Sequence, residues 1–85
     1  MNPRRLLRKL ADGSFSNVKF TDAQRLATAL GFRLERRQSS HHIYTHPALR
    51  EQLNLQEVDG EAKPYQLRQM LRLAERYNLK LEETP

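Results

Sequence analysis

Apolar positions along this chain repeat with a period near 3.6 at its two ends and near 2 in its middle, and the change of period divides it into elements. Asn2-Pro3 supplies a helix N-cap and a first-turn proline, and Leu6, Leu7 and Leu10 follow at helical spacing. The first helix therefore covers Asn2 to Ala11 and ends at Gly13-Ser14. Phe15 to Phe20 is a short connection whose two aromatics seal the edge of the core. Thr21 opens a second helix with a capping-box pairing to Gln24, buries Leu26, Ala27 and Leu30, and stops at Gly31.

Beyond Gly31 the period shortens. Phe32 to Arg37 sets Phe and Leu against Arg and Glu, the pattern of a half-buried strand. Gln38, Ser39 and Ser40 form a turn, His41 to Thr45 a second strand, and His46-Pro47 its end, because proline cannot donate to a ladder. Leu53 to Val58 reads as a third strand closed by the Asp59-Gly60 turn. Pro64 begins a last helix with Leu67, Met70, Leu71 and Ala74 on its core face, extended by Tyr77 and stopped at Asn78. Leu79 to Pro85 is expected to be loosely ordered. The order α-α-β-β-β-α predicts an α+β fold, a three-stranded antiparallel sheet with helices on one face and the other face free.

The length of 85 residues allows one domain with one modest core, burying about 60% of the unfolded surface. There is no cysteine, so disulfide frameworks and zinc-finger spacings are excluded. No apolar run reaches the roughly 18–20 residues of a membrane span. The basic N-terminus lacks an apolar signal core, so a cytoplasmic protein is expected. Lys and Arg exceed Asp and Glu by 15 to 10, a net charge of +5, which favours a polyanionic partner, RNA or DNA first. Arg4, Arg5, Arg8 and Lys9 read as a solvated helix face, with contact to phosphate as the alternative. Arg68, Arg72 and Arg76, four apart, read as a solvated row or a partner surface, partly offset by Glu75, Glu82 and Glu83.

Candidate chemistry concentrates in Ser39-Ser40-His41-His42-Ile43-Tyr44-Thr45-His46-Pro47, which holds all three histidines. Histidine is the side chain suited to proton transfer near neutral pH. Alternation along the strand puts His41, Ile43 and Thr45 on one face and His42, Tyr44 and His46 on the other. If Ile43 faced the helices, His42 would be the exposed residue. His46 reads as a strand end bonded to loop backbone. No acidic or cysteine ligands lie at metal-site spacing. Tyr65 and Tyr77 read as packing residues.

Two motifs in order, Ser-His-His-Ile-Tyr-Thr-His-Pro at Ser40–Pro47 and Lys-Pro-Tyr-Gln-Leu-Arg within Ala62–Arg68, resemble the HicA family of toxins. The similarity runs from about Thr21 to Leu79. It implies a single domain over 1–85, with a 21–79 core and a 1–20 N-terminal helical extension like that of a longer subgroup. It further implies a double-stranded-RNA-binding-like fold, metal-independent endoribonuclease activity on mRNA and a HicB-type antitoxin that covers the active site. The free protein would be a monomer and the complex a hetero-oligomer.

The family's catalytic histidine maps onto His41, with His42 as second candidate. Ser39 stands where the family has glycine, a residue that tolerates positive φ. Metal-free cleavage uses the ribose 2′-hydroxyl as nucleophile, so His41 would act as general base or acid. Arg36, Arg37 and Lys63 would hold phosphate, Ser40 would contact the RNA, and Tyr44 would stack on it or hydrogen-bond to it. Ser39 also supports an alternative, a catalytically inactive nucleic-acid-binding or protein-interaction module of the same fold.

Overall fold

The computed structural model describes residues 1–82. Its elements are α1 (Pro3–Ala11), α2 (Phe20–Ala29), β1 (Arg33–Gln38), β2 (His41–Thr45), β3 (Leu53–Val58), β4 (Glu61–Ala62) and α3 (Pro64–Arg76). The strands form one antiparallel sheet in the order β1-β2-β3-β4. The sheet thus has four strands rather than the expected three. Asp59 and Gly60 both adopt positive φ, 53° and 80°, as a two-residue type I′ hairpin requires, and Val58 pairs with Glu61 across it. The fourth strand is two residues long, too short to register as a period in the sequence. It is held on its other side by Lys19, which bridges to Glu61, and by the Ala62 N–H, which donates to the Val18 carbonyl at 2.9 Å.

All three helices stop in the same way. The residue after each C-cap is left-handed: Gly13, Gly31 and Asn78 have φ of 89°, 96° and 52°. Two reversed hydrogen bonds close each end. In α3 these are Leu79 N–H to the Ala74 carbonyl, 2.8 Å, and Asn78 N–H to that of Glu75, 3.3 Å. At Gly31 the absence of a Cβ has a second use, because one built there would lie 2.7 Å from His46 Nε2. At the start of α1 the Asn2 side chain accepts the Arg5 N–H at 2.8 Å as expected. The start of α2 differs: the cap is Lys19, no side chain caps it, and the Thr21–Gln24 box is not formed. Phe20 takes the first helical position instead and is itself core.

One hydrophobic core joins the helices to one face of the sheet. Leu6 and Leu10 of α1, Ala23, Leu26 and Ala27 of α2, and Leu67, Met70 and Leu73 of α3 pack with Phe32, Tyr44, Leu53 and Leu55. Each fully buried leucine contributes about 1.5–3 kcal/mol. The alternation expected of β1 is overridden. All six of its residues are exposed, Leu34 to 46%, because β1 is the edge strand and the helices do not reach over it. A bulge at Glu35 further shifts its pairing with β2. The segment after Asn78 is also more fixed than expected. Leu79 and Leu81 pack against the core, and the Glu82 N–H donates to the Ala29 carbonyl at 2.6 Å. The acid expected at Glu83 lies outside the described residues.

Candidate functional site

Strand register decides which histidine reaches solvent. β3 turns Leu53 and Leu55 inward, so Asn54 and Gln56 point to the opposite face. His41 is paired with Gln56, His42 with Leu55, Ile43 with Asn54 and Tyr44 with Leu53. Directly opposed residues share a face. His42 and Tyr44 therefore point into the core, and His41 shares the open face with Ile43, Asn54 and Gln56.

The two adjacent histidines consequently differ. His42 is 6% exposed, its ring meets Phe20 edge-on with centroids 4.8 Å apart, and its Nδ1–H donates to the Ser40 carbonyl at 3.2 Å. It braces the turn from inside. His41 is half-buried and its Nδ1–H donates to Asn54 Oδ1 at 3.1 Å. That bond selects the tautomer in which Nε2 carries the lone pair, available to take a proton and then return it. His46 accepts the Ala48 N–H on Nδ1 at 3.0 Å and donates from Nε2 to the Leu30 carbonyl at 3.1 Å, so both its nitrogens are engaged in tying the loop to α2.

Around His41 a chain of amides links the β1–β2 turn to α3. Gln56 Nε2 donates to Ser40 Oγ at 3.2 Å, and the Gln56 backbone N–H donates to Gln66 Oε1 at 2.7 Å. Gln66, 3% exposed, passes the connection on by donating from Nε2 to the Tyr65 hydroxyl at 3.3 Å. The two sequence motifs are thus brought together through a residue, Gln56, that belongs to neither. Ser39 at the turn has φ 60°, so serine occupies the left-handed conformation for which glycine is preferred.

The other candidate residues separate. Arg36 pairs with Ile43 and lies on the face of His41. Arg37 pairs with His42 and lies on the opposite face. Lys63 caps the start of α3 with its Nζ 5.9 Å from the centre of the Tyr65 ring. Tyr44 cannot stack on RNA: it is 3% exposed, lies in the core and engages Gln24 Nε2 through its hydroxyl at 3.3 Å. Tyr65, expected to pack, is instead 61% exposed.

Beside His41 a groove of about 490 Å³ runs between β3 and the first half of α3, and Asn54, Tyr65, Arg68 and Arg72 line it. Arg68 and Arg72 therefore border the site, whereas Arg76 lies at the far end of α3 with its guanidinium 5.6 Å from the centre of the Tyr77 ring. Asn54, Gln56 and Gln66 are the site residues that sequence reasoning missed. The signals were present in the parity of Leu53-Asn54-Leu55-Gln56 and in the spacing of Gln66 with Met70 and Leu73 on the buried stripe of α3. Among the described residues, no three of His, Cys, Asp and Glu are grouped as a metal site would need.

This basic α+β domain matches a class of toxins from bacterial toxin–antitoxin systems. The matching family model is described as "HicA toxin of bacterial toxin-antitoxin" and covers residues 20–75, well over half of the sequence, so the chain belongs to the HicA toxin family. Membership implies an antitoxin as partner. Helix α1 lies before the matched span, as an N-terminal helical extension. No curated protein and no solved structure matches the chain. Among the described residues no helix is long and apolar enough to cross a membrane.

Proposed function

We propose that this HicA toxin is a metal-independent endoribonuclease that cuts mRNA in the cytoplasm and thereby stops translation, with His41 as its proton-transfer group and a HicB-type antitoxin as its inhibitor. The carrying observation is the His41–Asn54 bond. It fixes Nδ1 as the protonated nitrogen and leaves Nε2 free on the helix-free face of the sheet. From that position Nε2 takes the proton of a ribose 2′-hydroxyl as the oxygen attacks phosphorus. The alternative duty at the same atom is to protonate the departing 5′-oxygen. Arg36 on the same face, with Arg68, Arg72 and Lys63 along α3, supplies cations for the phosphates on either side.

The test is cleavage of RNA in EDTA by the native chain and by His41→Ala and His42→Gln. His41→Ala should lower the rate by roughly 10²–10⁴-fold, the usual contribution of a positioned acid/base group. His42→Gln should act through stability instead. Undiminished cleavage by His41→Ala would remove the mechanism, and RNA binding without cleavage by the native chain would leave a nucleic-acid-binding module.

A further inference from the structure

Strand β1 is one edge of the sheet: β2 pairs with it on one side, and no strand lies on the other. An edge strand directs alternate backbone N–H and C=O groups outward, where another chain can ladder with them. Among the described residues, no backbone hydrogen bond from outside β2 reaches residues 33–38. The bulge at Glu35 bends this edge but keeps its faces sorted. Leu34 pairs with Tyr44 and Arg37 with His42, which puts both on the helix side. Arg33 pairs with Thr45 and Arg36 with Ile43, which puts both on the open face.

On the helix side a groove of about 1080 Å³ lies between β1 and α2. Arg25, Thr28 and Ala29 of α2 line it opposite Leu34, and the core residues Phe32 and Tyr44 line it as well. Leu34, 46% exposed, is the one large apolar side chain of the groove left uncovered. Among the charged lining groups Arg25 and Arg33 are cations and Glu82 an anion. Along β1 itself three arginines stand against Glu35, which lies 3.9 Å from Arg36.

Charge decides what pairs with this edge. A second copy of β1 would set arginine against arginine, and like charges directly opposite destabilise a strand pair. Charged side chains and a bulge are also devices by which sheet edges avoid their own kind. RNA phosphates accept hydrogen bonds only, so they match the arginines but neither the outward C=O groups nor Leu34. An acidic protein strand matches all three. We infer that β1 is a docking edge for an extended, acidic segment of a protein partner, which joins the sheet as a fifth strand. Its acids face Arg33 and Arg36 on the open side and Arg37 on the helix side, and one apolar side chain enters the groove beside Leu34. The groove and His41 lie on opposite faces of the sheet, and the inference needs no ribonuclease activity.

The test uses the full chain and three capped, fluorescent peptides. One alternates glutamate with valine around a central leucine, the second has lysine for glutamate, and the third is the acidic peptide with N-methylated backbone amides, which cannot ladder. Fluorescence anisotropy should show the acidic peptide bound on the order of tenfold more tightly than either of the others. Its binding should slow hydrogen exchange at amides of β1. Arg33→Glu and Leu34→Ser, at exposed positions, should each weaken it by about three- to tenfold while the circular dichroism spectrum stays native. Equal binding of the N-methylated peptide would reduce the contact to charge and overturn the strand addition. Slowed exchange confined to other elements, or full affinity in both variants, would overturn the site. A dimeric free chain protected along β1 would give the edge to a second copy, and equal slowing by oligouridylate would give it to RNA; either overturns the inference. RNA cleavage by the unliganded chain, followed separately, tests the ribonuclease reading alone.

Discussion

His41 and Asn54 are diagonal neighbours on β2 and β3, and the 3.1 Å bond from His41 Nδ1–H to Asn54 Oδ1 leaves Nε2 as the ring nitrogen with the lone pair. An orienting partner of this kind acts through the histidine. Its loss should therefore cost less than loss of the ring itself. Asn54→Ala should slow RNA cleavage by about tenfold, against the 10²–10⁴ of His41→Ala. Asn54→Asp separates orientation from mere packing. A carboxylate beside the ring favours the imidazolium, so whichever limb of the pH–rate profile belongs to His41 should move to higher pH. A profile that stays in place with Asn54→Asp would show that the pair has no bearing on proton transfer.

Ser39 occupies a left-handed conformation, φ 60°, at the turn that delivers His41. A non-glycine residue there is disfavoured by roughly 1–2 kcal/mol, part of which glycine gives back through its freer unfolded state. Ser39→Gly should stabilise the fold by about 0.5–1 kcal/mol, raising Tm by a few degrees in a chain of this size. It should leave the cleavage rate within about twofold, because the serine already adopts the backbone geometry the turn needs. A drop in Tm would show that the Ser39 side chain contributes more than its backbone strain removes.

What the sequence made legible follows physical range. Helix ends were legible because Gly13, Gly31 and Asn78 act locally, and the core faces of α1 and α2 because leucine spacing is a helical signal. Strand β4 was not, since its two residues exist only through pairing with β3 and the Lys19 bridge. The inward turn of Tyr44 and the outward turn of His41 depend on which face of β2 the helices cover, a tertiary fact that alternation leaves open. The same choice separated Arg36 from Arg37. The exposure of β1 was likewise invisible, because Phe and Leu alternation says nothing about whether a helix extends far enough to cover it.

At the far end of α3, the Tyr77 hydroxyl donates to the Glu51 carboxylate, 2.8 Å from each oxygen. The hydrogen bond to Glu51, together with desolvation and the carboxylate charge, raises the Tyr77 pKa above its ordinary 10.0. The folded state thus favours the protonated phenol. Its stabilisation is fully present below the unfolded pKa and is lost as pH rises through the higher folded value. Tyr77→Phe should therefore narrow the fall in stability on the alkaline side and leave its shape near neutrality unchanged. Urea midpoints measured across that pH range, with tyrosinate absorbance to locate the titration, check this. An alkaline fall as steep in Tyr77→Phe as in the native chain would count against it.

Gln66 is the one buried amide of α3, and its Oε1 is the acceptor for the Gln56 N–H on the side of β3 that faces away from β2. Gln66→Leu nearly preserves volume and leaves that N–H without its acceptor. The expected cost is about 1–3 kcal/mol of stability, read as a lower urea midpoint. The same substitution cuts the hydrogen-bonded route from the Ser40 turn to Tyr65, which runs through Gln56 and Gln66. Cleavage should consequently fall at temperatures where the variant is still folded. Tyr65→Phe, which removes only the last bond of that route, should change stability by no more than about 0.5–1.5 kcal/mol. If Gln66→Leu proved as stable and as active as the native chain, the amide would be an incidental neighbour of the strand rather than the joint between the two motifs.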